Sequence, residues 1–220
     1  MPKTHEVEQG DYLALIADKY GFSSWEDIWE HPKNAELRSR RPNPNVLYPG
    51  DSLFIPDNRV KEESCAVDQV HLFKVKRATT FLRLIIKDDE GHPFSNVDYT
   101  LRVASAKFKG KTDGNGQLEH KIPVGAQTAD LTLDKIGLVW NLKIGHLDPI
   151  EERIENKELI SGIQARLNNL SYHCGAVDGI AGPKTKEAIR RFQARVLKHE
   201  NPSGEPDAET RAALMKEHLS

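Results

Sequence analysis

The sequence predicts a multi-domain α+β protein: a β-α-α-β unit, a central antiparallel β-sandwich and a C-terminal three-helix bundle. Apolar residues recur at helical spacing near both ends of the chain, whereas between His71 and Ile144 their period falls to two. Polar stretches at Asp57–Ser64 and Asp148–Glu152 separate these regimes, and 220 residues leave room for three small domains, each with its own core. The expected divisions are 1–58, a linker at 59–69, then 70–148 and 149–220.

In the first unit, Leu15, Ile16, Ala17 and Tyr20 form one helix face that stops at Gly21, where a left-handed residue is expected. Asp11 is the expected N-cap of this helix, and Ser24 that of a second helix opening Trp25-Glu-Asp-Ile-Trp29, whose two tryptophans read as core. Arg38, Arg40 and Arg41, at the end of the polar run Glu30–Arg41, read as part of a solvated loop in preference to a basic handle for wall carboxylates or phosphates. Pro49-Gly50-Asp51 then turns the chain into the strand Leu53-Phe-Ile55.

This order, with Gly10-Asp11 at the exit of the first strand and Asn43-Pro-Asn-Val-Leu-Tyr-Pro-Gly50 before the last, resembles a LysM module. The resemblance implies binding of N-acetylglucosamine polymers in a shallow groove between the two loops. Gly10, Asp11, Tyr12 and Leu13 would form one wall, and Asn43, Asn45, Val46, Tyr48 and Pro49 the other. Two departures stand out: Tyr12 replaces the common threonine, and Glu30–Arg41 is long enough to reshape the groove.

In the middle region Val97, Tyr99, Leu101 and Val103 alternate with polar residues, as do Leu138, Trp140, Leu142 and Ile144. Further strands are expected at Leu72–Val75, Phe81–Ile86, Phe108–Lys111, Leu118–Ile122 and Ala129–Leu133, with turns at Asp88–Gly91 and Asp113–Gly116. About seven short strands suggest a sandwich. The run Asp89–Tyr99 followed by Lys111–Leu118 and Ile122-Pro123 resembles transthyretin-like sandwiches of the kind appended to carboxypeptidases.

At the C-terminus, Ile160, Ile163, Leu167 and Leu170 share one helix face, and Ala188, Ile189 and Phe192 a second, opened by Pro183 in its first turn. Asp207 caps a third helix carrying Glu209 early and Ala213 and Leu214 on its buried side. With Tyr172, Asp178-Gly179, Thr185 and Phe192-Gln193, this spelling is similar to the peptidoglycan-binding domain found beside bacterial wall hydrolases. The resemblance implies contact with the stem-peptide region. Asn168, Asn169, Tyr172 and Arg190 are the candidate contacts, flanking a cleft between the first two helices.

A net charge of −2 gives no global attraction to nucleic acid or an anionic membrane surface, and no apolar run approaches the roughly 20 residues of a membrane span. Met1–Glu8 has no apolar signal core, so synthesis in the cytoplasm and action in the periplasm or at the wall after non-classical export are expected. His71, His92, His120 and His146 are isolated and no nucleophile motif is present, so the sequence implies no catalysis, no cofactor and no metal. Cys65 and Cys174 read as free thiols. Two modules that both point to peptidoglycan predict a non-catalytic wall-binding protein whose sandwich is a spacer or a docking surface for a partner. The alternative, ahead of a wall hydrolase, is an adaptor or delivered accessory of a contractile injection system, type VI secretion or phage-tail-like, with a secretion-spike or effector partner. Its basis is the stretch His31–Asn45, which looks similar to LysM segments in proteins encoded near type VI secretion spikes.

Overall fold

A computed structural model describes residues 3–58, 64, 66–72, 78–88, 90–150, 153–154, 157–158 and 160–218. Among these, the chain is a mixture of helices and antiparallel sheets, and its buried apolar side chains fall into three clusters.

In the N-terminal unit β1 (Lys3–Glu6) pairs antiparallel with β2 (Ser52–Ile55), Lys3 opposite Ile55. Helices α1 (Leu13–Lys19) and α2 (Glu26–Trp29) lie between them and bury Leu13, Ile16, Ile28 and Trp29 on the pair. Trp25 is half-buried against the same cluster. Asp11 does not cap α1. The N-cap is Tyr12, without a side-chain hydrogen bond, while the Asp11 carboxylate accepts the Glu8 N–H (2.9 Å) and meets His5 Nε2 (2.9 Å), closing the turn after β1. Ser24 precedes the α2 N-cap, Trp25, and accepts only a long contact from the Glu26 N–H (3.4 Å).

The run Glu30–Arg41 is not a solvated loop. It forms a 3₁₀ turn (Pro32–Asn34) and a helix, α3 (Ala35–Arg40). The buried Asn34 amide donates to the Ile28 and Phe54 carbonyls and accepts the Phe54 N–H, each at 2.8 Å. Arg41, only 1% exposed, forks onto both oxygens of Asp51 at 2.8 and 2.9 Å. Buried polar groups that satisfy one another in this way let a hydrophilic segment fold as core.

The middle unit has two antiparallel sheets. β3 (Thr79–Ile85) pairs with β6 (Gln117–Pro123), while β4 (Asp98–Val103), β5 (Ala106–Lys111), β7 (Thr128–Leu133) and β8 (Leu138–Lys143) form a second sheet in the order β5-β4-β7-β8. Leu82, Leu84, Leu118 and Ile122 of the first sheet share one core with Tyr99, Leu101, Leu131 and Leu133 of the second. Six expected strands are present. The seventh, Leu72–Val75, lies almost wholly outside the described residues, and Leu72 itself is exposed and not in a strand. At the turns, the Asp88 and Asp113 carboxylates accept backbone N–H groups of their own loops, Glu90 and His92 for the first, Asn115 and Gln117 for the second.

Two short strands, β9 (Arg153–Ile154) and β10 (Lys157–Glu158), precede α4 (Ile160–Asn169), α5 (Pro183–Phe192) and α6 (Ala208–His218). Ile163, Leu167, Ala188, Ile189, Phe192 and Leu214 are fully buried together, as their periodicity predicts. α5 runs on as a π turn, Gln193–Leu197. Asp207 caps α6 by accepting the Thr210 N–H at 2.8 Å. Cys174 is a buried free thiol, and Cys65 lies outside the described residues.

Built contacts join the units. The Tyr12 hydroxyl accepts the Gly125 N–H (3.2 Å). Gly145, at φ +79°, lies so close to the first loop that a Cβ there would come within 2.6 Å of the Gly10 carbonyl oxygen and 2.8 Å of the Tyr12 ring. The described part of the segment read as the second linker, Asp148–Ile150, is packed. Ile150 belongs to the C-terminal core, Arg166 donates to the Asp148 carbonyl (2.7 Å), and a Cβ at Gly162 would strike the Pro149 carbonyl oxygen at 2.3 Å.

Candidate functional site

The C-terminal unit is organised by two glutamines. Gln164 on α4 is 1% exposed, and its Oε1 accepts the N–H groups of Asp178 (3.0 Å) and Gly179 (2.9 Å). Its Nε2 donates to Asp178 Oδ1 (2.8 Å), the Ile180 carbonyl (3.1 Å) and Thr185 Oγ1 (3.1 Å). One amide thus fixes the loop that carries Asp-Gly and the start of α5. Gln193, after α5, does the same one step later. Its Oε1 accepts the Gly204 N–H (2.9 Å), and its Nε2 donates to Ser203 Oγ (3.2 Å), the Glu205 carbonyl (3.0 Å) and Thr210 Oγ1 (2.9 Å). Gly179 and Gly204 adopt nearly the same left-handed φ, +74° and +75°.

This is an internal repeat, legible in the sequence though not read there. Ile160-Ser-Gly-Ile-Gln-Ala-Arg-Leu167 recurs as Ile189-Arg-Arg-Phe-Gln-Ala-Arg-Val196, and each copy is followed by Gly, then Thr six residues on, then Ala with Ile or Leu. The signal is weak to pattern reading because each glutamine's partners are between ten and 21 residues away.

The repeat positions a cleft of about 500 Å³ between the end of α4 and α5. α4 stops at Ser171, a non-glycine residue at φ +65°. The Ser171 N–H donates to the Asn168 carbonyl (3.0 Å) and the Tyr172 N–H to the Leu167 carbonyl (2.8 Å), the paired bonds of a Schellman stop. That geometry aims Tyr172 across α5, edge-on to Phe192 (centroids 5.3 Å, 79°). Tyr172, His173, Arg191, Ala194 and Arg195 line the cleft. Burial raises the Tyr172 phenol pKa above its ordinary value, with Glu217 acting in the same direction and Arg195 and Arg191 opposing.

Of the expected contacts, only Tyr172 faces this cleft. Asn168 is a structural tie, donating to the Gly175 carbonyl (2.8 Å) and accepting the Cys174 N–H (2.9 Å), and Asn169 binds His218 Nε2 (2.9 Å). Arg190 pairs with Glu187 (3.3 Å) and lies over Gly204, so the cleft's cation on that helix is its neighbour Arg191. One step along a helix turns a side chain by about 100°, which decides between them.

The two loops expected to wall a glycan groove are placed unequally. Leu13 is core (0% exposed), and Gly10 and Tyr12 are buried where the first loop meets Gly125, Gln127, Gly145 and His146 of the middle unit. Asp11 is half-buried and held by His5. On the second loop Val46 is buried, whereas Asn43, Tyr48 and Pro49 are half-exposed and Asn45 is exposed. Asn43 Oδ1 accepts the Asn45 N–H (2.9 Å), and the Tyr48 N–H donates to Asp51 Oδ2 (2.9 Å), so this loop is rigid from within. Arg41, by way of Asp51, supports it.

In the middle unit a second hollow of about 530 Å³ lies over Tyr99, Gly110, Asp134 and the Asp98 carboxylate, which Lys135 (3.1 Å) and Lys111 (3.4 Å) hold below its usual pKa. Among the described residues no three His, Cys, Asp or Glu side chains come together as a metal-ligand set, and no helix is long and apolar enough to cross a membrane.

Residues 156–214 match the family model "Putative peptidoglycan binding domain". The match spans both glutamine knots and the cleft. Neither a curated protein nor a solved structure matches the chain. The C-terminal unit is thus similar in sequence to a putative peptidoglycan-binding domain, and it carries the helices α4, α5 and α6.

Proposed function

We propose that this chain is a non-catalytic bacterial wall-binding protein that engages peptidoglycan through its C-terminal helical unit. The observation that carries this is the family match over residues 156–214, on a unit whose two glutamine knots hold an open cleft beside Tyr172. The N-terminal unit, with helices α1, α2 and α3 enclosed between two paired outer strands, supports a LysM-like second contact for N-acetylglucosamine polymers. With Gly10, Tyr12 and Leu13 turned inward, that contact falls on Asn43, Asn45, Tyr48 and Pro49. The middle unit then sets the distance between the two contacts, in a transthyretin-like sandwich arrangement.

One observation favours the adaptor reading for the N-terminal unit. The Tyr12–Gly125 contact covers the first groove loop, and a covered groove suits a protein-docking role beside an injection machine better than sugar capture.

Soluble fragments separate these readings. Amide shifts of the full chain titrated with a disaccharide-peptide fragment of peptidoglycan are expected to move around Tyr172 and Arg191, and with a chito-oligomer around Asn43–Pro49. Shifts at the C-terminal cleft alone would leave wall binding in place and assign the N-terminal unit to a protein partner. No shift anywhere at saturating ligand refutes wall binding. Incubation with labelled sacculi is expected to release no fragments above buffer.

A further inference from the structure

We propose that the cleft between the end of α4 and α5 is a carboxylate-binding site, and that its ligand on the wall is the free terminal carboxylate of a stem peptide. The inference rests on the peptidoglycan reading above and names the group recognised.

The guanidinium of Arg191, which faces the cleft, carries it. Arg41, Arg83 and Arg190 each hold a carboxylate of this chain, Asp51, Glu119 and Glu187 respectively. Arg191 holds none among the described residues: its one hydrogen bond there is a long contact from Nη2 to the His173 carbonyl (3.4 Å), which orients the guanidinium over the cleft and leaves most of its fork of donors unused. Arg195 enters from the next turn, with Nη2 close to Gly91 of the middle unit. Among the described residues no acidic side chain lines the cleft; Glu217 acts on Tyr172 through space but is not part of the wall. The Tyr172 hydroxyl makes no hydrogen bond to a described residue and is a spare donor at the mouth. A guanidinium beside a neutral phenol matches a planar carboxylate better than it matches an uncharged sugar.

Size and polarity argue for a peptide end over a bare ion. About 500 Å³ is far more than an ion fills and lies within the roughly 300–1,000 Å³ of small-ligand sites. Leu170, Ala194 and the Tyr172 ring supply apolar surface next to the cations, as small aliphatic side chains flanking a carboxylate require. The cleft is held from behind by the Schellman stop at Ser171 and by Phe192, so it is formed before any ligand arrives.

The test is calorimetry of the full chain with diacetyl-L-Lys-D-Ala-D-Ala as probe, beside its C-terminal amide and inorganic phosphate. The acid is expected to bind and the amide to bind roughly tenfold or more weakly, since a hydrogen bond to a charged group is lost. Arg191→Gln is expected to weaken the acid by a similar factor with an unchanged helical circular dichroism spectrum, while Arg191→Lys retains part of the affinity and Arg190→Gln all of it. Equal binding of acid and amide, or full affinity in Arg191→Gln, overturns the proposal. Phosphate that displaces the acid at equal concentration overturns the peptide assignment and moves the site to phosphodiester wall polymers. Co-sedimentation with sacculi keeps the two levels apart: if Arg191→Gln pellets as the parent does, only the carboxylate inference fails, and if the parent does not pellet, the wall reading itself fails.

Discussion

At the scale of single residues, the polar groups decide this structure as much as the apolar ones. Gln164 makes five hydrogen bonds from one buried amide, so Gln164→Ala leaves the Asp178 and Gly179 N–H groups without acceptors. A loss of about 3 kcal/mol is expected for the C-terminal unit, read as faster hydrogen exchange at those two amides and a lower denaturation midpoint in helical circular dichroism. Unchanged protection of Gly179 would show that the loop is held by other means. Asp207 makes a pH-dependent contribution. Hydrogen bonds from the Thr210 side chain and N–H hold its pKa below the ordinary carboxylate value. A carboxylate depressed in the folded state stabilises fully above its unfolded pKa, about 3.9, and that contribution fades as the pH falls through the folded value. Asp207→Asn is therefore expected to flatten the acid limb of the stability profile below about pH 4 while leaving the neutral region nearly unchanged, because Asn also caps well. Ser171 tests the Schellman stop: Ser171→Gly is expected to stabilise α4 by about 1 kcal/mol, because the left-handed conformation costs a serine that much.

At the scale of elements, periodicity made α4, α5, α6 and six strands readable, since their buried residues follow period 3.6 or 2. It failed at α3. Glu30–Arg41 looks solvated because its anchors, Asn34 and Arg41, are hydrophilic, and their partners Phe54 and Asp51 are twenty and ten residues distant. It failed again at Asp11, whose partner His5 lies on β1 and draws the carboxylate away from the helix it would cap. The candidate site was half legible for the same reason. Tyr172 could be named from its place after α4, while the choice between Arg190 and Arg191 depended on the phase of α5 against that residue. Phe192 is the packing centre of this unit, buried against Tyr172 and both flanking helices. Phe192→Ala should cost about 3–5 kcal/mol, comparable to the whole stability of a unit this small. The expected result is selective loss of the C-terminal helical signal, with β1–β2 and the middle sheets retaining their exchange protection. A global collapse would mean that the three cores are not separable.

At the scale of the molecule, the units are joined by fitted contacts, so the two proposed wall contacts stand at a geometrically set separation. Avidity then depends on whether that separation matches the wall, not on linker reach. None of this was legible, because Tyr12 and Gly125 are 113 residues apart and neither belongs to a pattern that names the other. Gly145→Val puts a side chain into the Gly10 carbonyl and the Tyr12 ring at a position whose φ of +79° already excludes it. Small-angle scattering of this variant is expected to show a larger radius of gyration with the secondary structure unchanged, and an identical profile would show that the contact does not set the shape. The central claim is peptidoglycan binding through the C-terminal unit, and co-sedimentation of the full chain with purified, insoluble sacculi addresses it most directly. Saturable pelleting that soluble disaccharide-peptide competes away and Tyr172→Ala weakens is the predicted result; protein that stays in the supernatant at every sacculus concentration, or that pellets equally with Tyr172→Ala and regardless of competitor, contradicts it.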